Sequence, residues 1–255
     1  LEHVYKDFTC QKIRCDIKAA ELIKYAANSL LATKISFANE FARICEKFNT
    51  DVYEVMKGVG LDFRINSQFL NAGCGFGGSC FPKDVNAIVA LAKKINVETP
   101  ILNSVLYTNE LQPTHCIKII ENAAGSLKGK TVAFLGLSFK PNTDDVRETR
   151  ALPIIENLHK LGAKIKAYDP KATTNFRRLT NIPVEYYEQW EHALSDADLA
   201  VIQSDWNEIK NITPSDFKNL LKSPIIVDGR RTYDPVEMIA NGIKYYGIGW
   251  KNTFI

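Results

Sequence analysis

The chain has 255 residues, 45% of them apolar and 24% charged, which is the composition of an ordinary globular protein of one or two domains and excludes disordered, collagen-like and low-complexity classes. A net charge of +3, from 32 basic and 29 acidic residues, is too small to argue for nucleic acid or a membrane surface as partner. The longest apolar run, 87–92, is far short of the roughly 20 residues a membrane span needs.

The chain opens on Leu1-Glu2-His3-Val4, without a methionine or a secretory signal, and is expected to be a fragment. From 17 to 48 apolar residues recur at three- and four-residue intervals, which predicts one long amphipathic helix. Between Lys24 and Lys34 it carries no charge, so its middle is expected to be buried on more than one side. Thr50 and Asp51 read as the cap of a short helix over 52–57, ended by Gly58 and Gly60. A glycine-rich loop follows to about Pro82, then helices over 84–95 and 101–111, a break or kink at Pro113, and a helix over 114–124.

After a linker at 125–130 the period changes. Strands are expected at 131–137, 163–168, 199–203, 224–227 and 243–248, with helices at 151–161, 189–195 and 214–221 between them. Strands alternating with helices predict a parallel α/β sheet with ligands at the strands' carboxyl ends. The expected organisation is α/β: an all-helical central domain over 1–112, a helical linker over 113–128, and a Rossmann-like domain over 129–255.

Six cysteines contain no CxxC pair and the four histidines are scattered, so neither a disulfide framework nor a metal site is expected. Reduced cysteines in a chain of this size predict a cytoplasmic protein. The unit 131–169 has the Rossmann layout, but its first turn, Gly136-Leu137-Ser138-Phe139-Lys140-Pro141, lacks GxGxxG. Close backbone approach to a pyrophosphate is thereby lost, and Lys140 offers a charge instead. The pattern leaves open whether Lys140 and Asp169 bind a nucleotide or are a solvated lysine and a turn acid. Cys80, just before Pro82 and the predicted helix, is placed where a helix N-terminus favours a thiolate, and Asp84 four residues on is placed to orient a water or a lysine. Cys74 lacks that setting and reads as an inert buried thiol. Lys24 and Asn28 share one face of the long helix, where a lysine either snorkels or serves the chemistry.

FGGSCFPKD at 76–84, with the stretches at 19–40, 60–65, 136–149 and 228–231, resembles the UDP-glucose/GDP-mannose dehydrogenases in the right order along essentially the whole chain. The resemblance implies NAD-dependent oxidation of a nucleotide sugar at C6, UDP-glucose first, through a cysteine thiohemiacetal and thioester. It assigns Cys80 as nucleophile, Lys24 to the oxyanion, Asn28 to its positioning and Asp84 to the water or the lysine. It gives Lys140 and Arg230 to the nucleotide diphosphate or sugar, Arg64 to the sugar of a neighbouring subunit, and Phe76 and Gly77 to the sugar pocket. It implies a homodimer through the 17–48 helix. The family's N-terminal NAD-binding domain has no counterpart in this sequence, so its NAD ligands cannot be assigned. An alternative is a nucleotide-sugar-binding dimerisation module that is inactive without a separate NAD-binding domain. An acyltransferase, or a redox pair of Cys74 and Cys80, are rivals of other classes.

Overall fold

The computed structural model describes residues 2–251. Its first half is helical: α1 (Ile17–Lys47), α2 (Val52–Gly60), α3 (Phe81–Lys94) and α4 (Pro100–Ala124). Asp16 starts α1 by accepting the Ala19 N–H at 2.9 Å, as an N-cap should. The buried side of α1 is built of small and amide residues, among them Asn28, Ala32, Ala38, Asn39 and Ala42, which lets α3 and α4 pack close to it. Within one chain the middle of α1 is buried on that side only. Leu30, Phe37 and Ile44 on the other side are 63%, 46% and 42% exposed.

Two helix boundaries differ from expectation. α2 runs through Gly58 and on to Gly60, and Gly60 lies directly against Ser67 of the following loop, where a Cβ would come within 2.8 Å of the Ser67 backbone. α4 continues through Pro113 as one helix of 25 residues. Proline removes the donor that would reach the Asn109 carbonyl. The residues around the proline, Thr108, Asn109, Gln112, Cys116 and Ile117, are buried, so the helix is held by its packing on the rest of the molecule. Of the span expected as a helical linker, 113–128, the part up to Ala124 is the second half of α4, and its Cys116, Ile117, Ile119 and Ile120 are buried in a core shared with the sheet.

The second half is β1 (Thr131–Leu135), α5 (Ala151–Lys160), β2 (Lys164–Tyr168), α6 (Thr173–Arg177), β3 (Val184–Tyr187), α7 (Trp190–Leu194), β4 (Leu199–Ile202), α8 (Asn207–Lys210), α9 (Pro214–Leu220), β5 (Ile225–Asp228), α10 (Pro235–Ala240) and β6 (Lys244–Gly247). The six strands are parallel in the order β3-β2-β1-β4-β5-β6, a Rossmann-like arrangement whose order reverses between β1 and β4. The register pairs Leu135 with Tyr168 and with Ile202, and Ile202 with Asp228. Gly136, Asp169, Gln203 and Gly229 therefore emerge together at one edge of the sheet. One hydrophobic core runs from Ala38, Ala42 and Cys45 of α1 through α4 to Phe134 and Val201. The helical half is thus seated directly on that edge.

Candidate active site

The glycine-rich loop is clamped from both halves of the molecule. On the helical side, Asn39 Oδ1 accepts the Gly73 N–H at 2.7 Å and Gln112 Nε2 donates to the Gly73 carbonyl at 2.7 Å. Asn109 pairs with Phe76 as a neighbouring strand would, taking its N–H at 2.8 Å and donating to its carbonyl at 3.0 Å. On the sheet side, the Cys74 N–H donates to the Gly229 carbonyl at 3.2 Å and the Gly78 N–H to the Arg147 carbonyl at 2.9 Å. Gly78 has φ +83°, and a Cβ there would stand 2.5 Å from the Phe139 ring, so only glycine fits. Gly77 is equally confined, against the Glu148 carbonyl. The Phe76 ring is buried in the helical core, edge-on to Phe81 at 6.0 Å.

This loop delivers Cys80 to the N-cap of α3, where it is exposed. Asp84 lies one helical turn further on, its N–H bonded to the Cys80 carbonyl at 2.9 Å. The Asp84 side chain is buried and gathers three donors: Asn28 Nδ2 at 2.6 Å, Lys83 Nζ at 2.7 Å and Lys24 Nζ at 3.3 Å. Lys83 above all, then Asn28 and Lys24, hold its carboxyl below the ordinary carboxylate value against the opposing effect of burial. α1 and α3 thus bring Lys24 and Asn28 onto Asp84 across 60 and 56 residues of sequence, with Cys80 one helical turn away at the start of α3. A cleft of about 360 Å³ opens beside Ser79, walled by Lys83, Glu110, Arg147, Glu148 and Arg150.

At the sheet edge, Arg230 donates from Nε to the Gln203 carbonyl at 3.0 Å and from Nη2 to the Phe139 carbonyl at 2.9 Å. It ties the ends of β1 and β4 together while lying against Gly73. Lys140 is exposed, with Nζ 5.5 Å from the centre of the Phe139 ring. Arg64 stands apart on the surface, and its hydrogen bonds go to Asp62. Asp169 is buried and turned inward. One oxygen accepts the N–H groups of Leu137 and Ser138 at 2.7 and 3.0 Å, and the other those of Lys171 and Ala172. The backbone donors that a dinucleotide-binding turn would aim at a pyrophosphate are therefore already engaged.

Cys74 is fully buried, with its sulfur packed on Gly229. Contact with Cys74 and burial push the neighbouring Cys116 thiol well up from its ordinary value, the state of an inert thiol. Sequence reasoning missed Asn39, Asn109, Gln112, Arg150 and the clasp between Arg231 and Asp51. In that clasp a guanidinium 5% exposed binds the carboxylate at 2.8 and 2.9 Å between the Tyr53 and Trp250 rings. The available signal was polar residues on apolar helix faces, and a second arginine beside Arg230.

Two family descriptions match: the UDP-glucose/GDP-mannose dehydrogenase family, central domain, over residues 18–111, and its UDP binding domain over 133–235. UDP-glucose 6-dehydrogenase TuaD of Bacillus subtilis is 46% identical over 98% of this chain and 54% of its own length. The UDP-glucose 6-dehydrogenase of Rickettsia conorii is 42% identical over 92% of this chain and 55% of its own. Among solved structures, a UDP-glucose dehydrogenase from Pyrobaculum islandicum superposes with a TM-score of 0.87 at 36% identity, covering 98% of this chain and 55% of that one. NDP-N-acetyl-D-galactosaminuronic acid dehydrogenase from Methanosarcina mazei does so with 0.81 at 28% identity, covering 92% and 52%. The chain spans about half the length of the curated relatives it matches.

Proposed function

The chain belongs to the UDP-glucose/GDP-mannose dehydrogenase family, and from that premise we propose that it is the helical and nucleotide-sugar-binding part of an NAD-dependent dehydrogenase. The proposed reaction oxidises C6 of a nucleotide sugar, UDP-glucose first, to the carboxylate. The observation that carries this is the Asp84 cluster. A buried carboxylate one turn from Cys80 holds an ammonium and an amide from a helix far away in sequence. Such an arrangement suits charge that develops next to a nucleophilic sulfur.

In the proposed chemistry Cys80 Sγ adds to the aldehyde carbon, and the carbonyl oxygen becomes an oxyanion. Lys24 stabilises that oxygen and Asn28 positions it, both oriented through Asp84. The C6 alcohol would lose one hydride to NAD, held mainly outside this chain, to give the aldehyde, and the tetrahedral carbon so formed a second to give the thioester, so that the aldehyde is never released. Water then cleaves the resulting thioester, the thiol is regenerated, and Asp84 steers the water or the lysine. Lys140 and Arg230, at the carboxyl edge of the sheet, supply cations for the diphosphate. Phe76 and Gly77 contribute through the backbone wall they form.

NAD does not fit the one Rossmann-type turn of this chain, because Asp169 takes the N–H groups of Leu137 and Ser138. Its binding falls mainly to a part of the protein outside this chain. The proposed domains are 1–112, 113–128 and 129–255. The exposed apolar side of α1 supports a homodimer through that helix, in which Arg64 reaches the sugar bound by the neighbour. No helix among the described residues is long and apolar enough to cross a membrane. The cytoplasm is the proposed compartment, since a nucleophilic thiol has to stay reduced. The test is turnover by the full-length protein. Two NADH per UDP-glucose and a uronic acid product support the assignment, whereas an inactive full-length protein that still binds the sugar nucleotide favours a binding module.

A further inference from the structure

Arg150 is a buried cation in an unfavourable place. It stands at the N-cap position of α5, at the positive end of that helix, with its side chain 6% exposed. Its nitrogens point three ways. Nε donates to the Phe76 carbonyl at 3.0 Å, Nη1 pairs with Glu110 of α4 at 2.9 Å, and Nη2 approaches Glu148 at 3.6 Å. Asn109 already donates to the Phe76 carbonyl, so that oxygen is satisfied without Arg150. Phe76 precedes Cys80 by four residues. The neighbouring Gly75, at φ +102°, packs against Asn109, where a Cβ would lie 2.7 Å from Oδ1, and the Arg150 Cδ stands in ordinary contact distance of the same position, at 3.4 Å. The same segment takes the Gly78 N–H through the Arg147 carbonyl. Between the two grips Glu148 has φ +50°, a left-handed conformation that a non-glycine residue keeps only where its surroundings impose it.

We infer that Arg150 is a positioning residue, which fastens the Cys80-bearing loop to the sheet domain and so holds the nucleophile in register with a substrate bound at the sheet edge. The inference rests on Cys80 being the nucleophile. Neither the hydrogen-bond needs of the loop nor the stability of α5 calls for a buried guanidinium here. What it adds is a rigid, forked link between α4, the loop and the sheet domain. Misplacement of a reacting group by about 1 Å can cost on the order of 100-fold in rate, so a link of this kind acts on turnover more than on binding.

The test is made in the full-length protein with Arg150→Met and Arg150→Lys. In Arg150→Met, amide exchange of the loop 73–80 is expected to speed up about tenfold. The same variant should lose about tenfold in kcat while KM for UDP-glucose stays within about threefold, and lysine should restore part of both. Unchanged exchange in the loop would overturn the inference. A raised KM at constant kcat would also do so, by making Arg150 a substrate ligand. If Arg150→Met fails to fold, Glu110→Gln removes the exposed anchor and should speed exchange in the same loop about threefold; no change there overturns the inference equally. A wild type without dehydrogenase activity would sink the role of Cys80, while the exchange measurement still decides whether Arg150 grips the loop.

Discussion

Replacing Asp84 by asparagine probes the centre of the site with little change of shape. The carboxylate is 4% exposed and receives Asn28 at 2.6 Å, Lys83 at 2.7 Å and Lys24 at 3.3 Å. Lys83 and Lys24 are 68% and 60% exposed, so solvent screens both pairs and their share of the stability is small. The buried bond from Asn28 to the charged oxygen is worth about 1.5 kcal/mol or more. Asparagine keeps one acceptor but turns an NH2 group toward the remaining donors. The expected loss is about 2 kcal/mol, or about 4–8 °C in Tm for a chain of this size. The carboxyl is held below its ordinary 3.8 when folded, so its contribution is complete above the unfolded value and is lost as pH falls through the folded one. Urea and thermal unfolding should therefore show the full gap between wild type and Asp84→Asn at neutral pH. The gap should shrink as the pH is lowered below 3.8. No gap at neutral pH, or one that persists undiminished in acid, would refute the argument from charge.

Gly78→Ala places a methyl 2.5 Å from the Phe139 ring at φ +83°, and should cost about 2 kcal/mol or more, seen as a lower urea midpoint at unchanged m. Asp51→Asn leaves the Arg231 guanidinium buried without its carboxylate and should cost about 3 kcal/mol in the same measurement. Calorimetry of this chain should show binding of UDP-glucose or GDP-mannose and little or none of NAD; comparable affinity for NAD would mean that Asp169 does not keep the first turn of the sheet domain closed.

The long elements were legible because their patterns are local. The 17–48 periodicity and the apolar run of β4 need no knowledge of neighbours. β3 was missed because Val184-Glu185-Tyr186-Tyr187 alternates weakly and pairs on one side only, at the sheet edge. Pro113 misled because the burial that tolerates it comes from packing on other segments. The same division holds in the site. Cys80 and Asp84 lie within one turn of each other and share a motif. Asn39, Asn109, Gln112 and Arg150 act on loop residues 33 to 74 positions away, which no local pattern reports. Asp169 was legible as an acid at the end of a strand, but its inward turn depends on where the first turn of the sheet domain lies in space.

The role of Cys80 is tested most directly by trapping the acyl-enzyme. Full-length protein turning over UDP-glucose with NAD is quenched in acid, digested, and each cysteine peptide is weighed. The expected result is a uronyl nucleotide-sugar adduct on the Cys80 peptide alone, absent from Cys80→Ser, which should also stop before the carboxylate. Carboxylate formation at an undiminished rate by Cys80→Ser, or an adduct on another cysteine, would contradict the account.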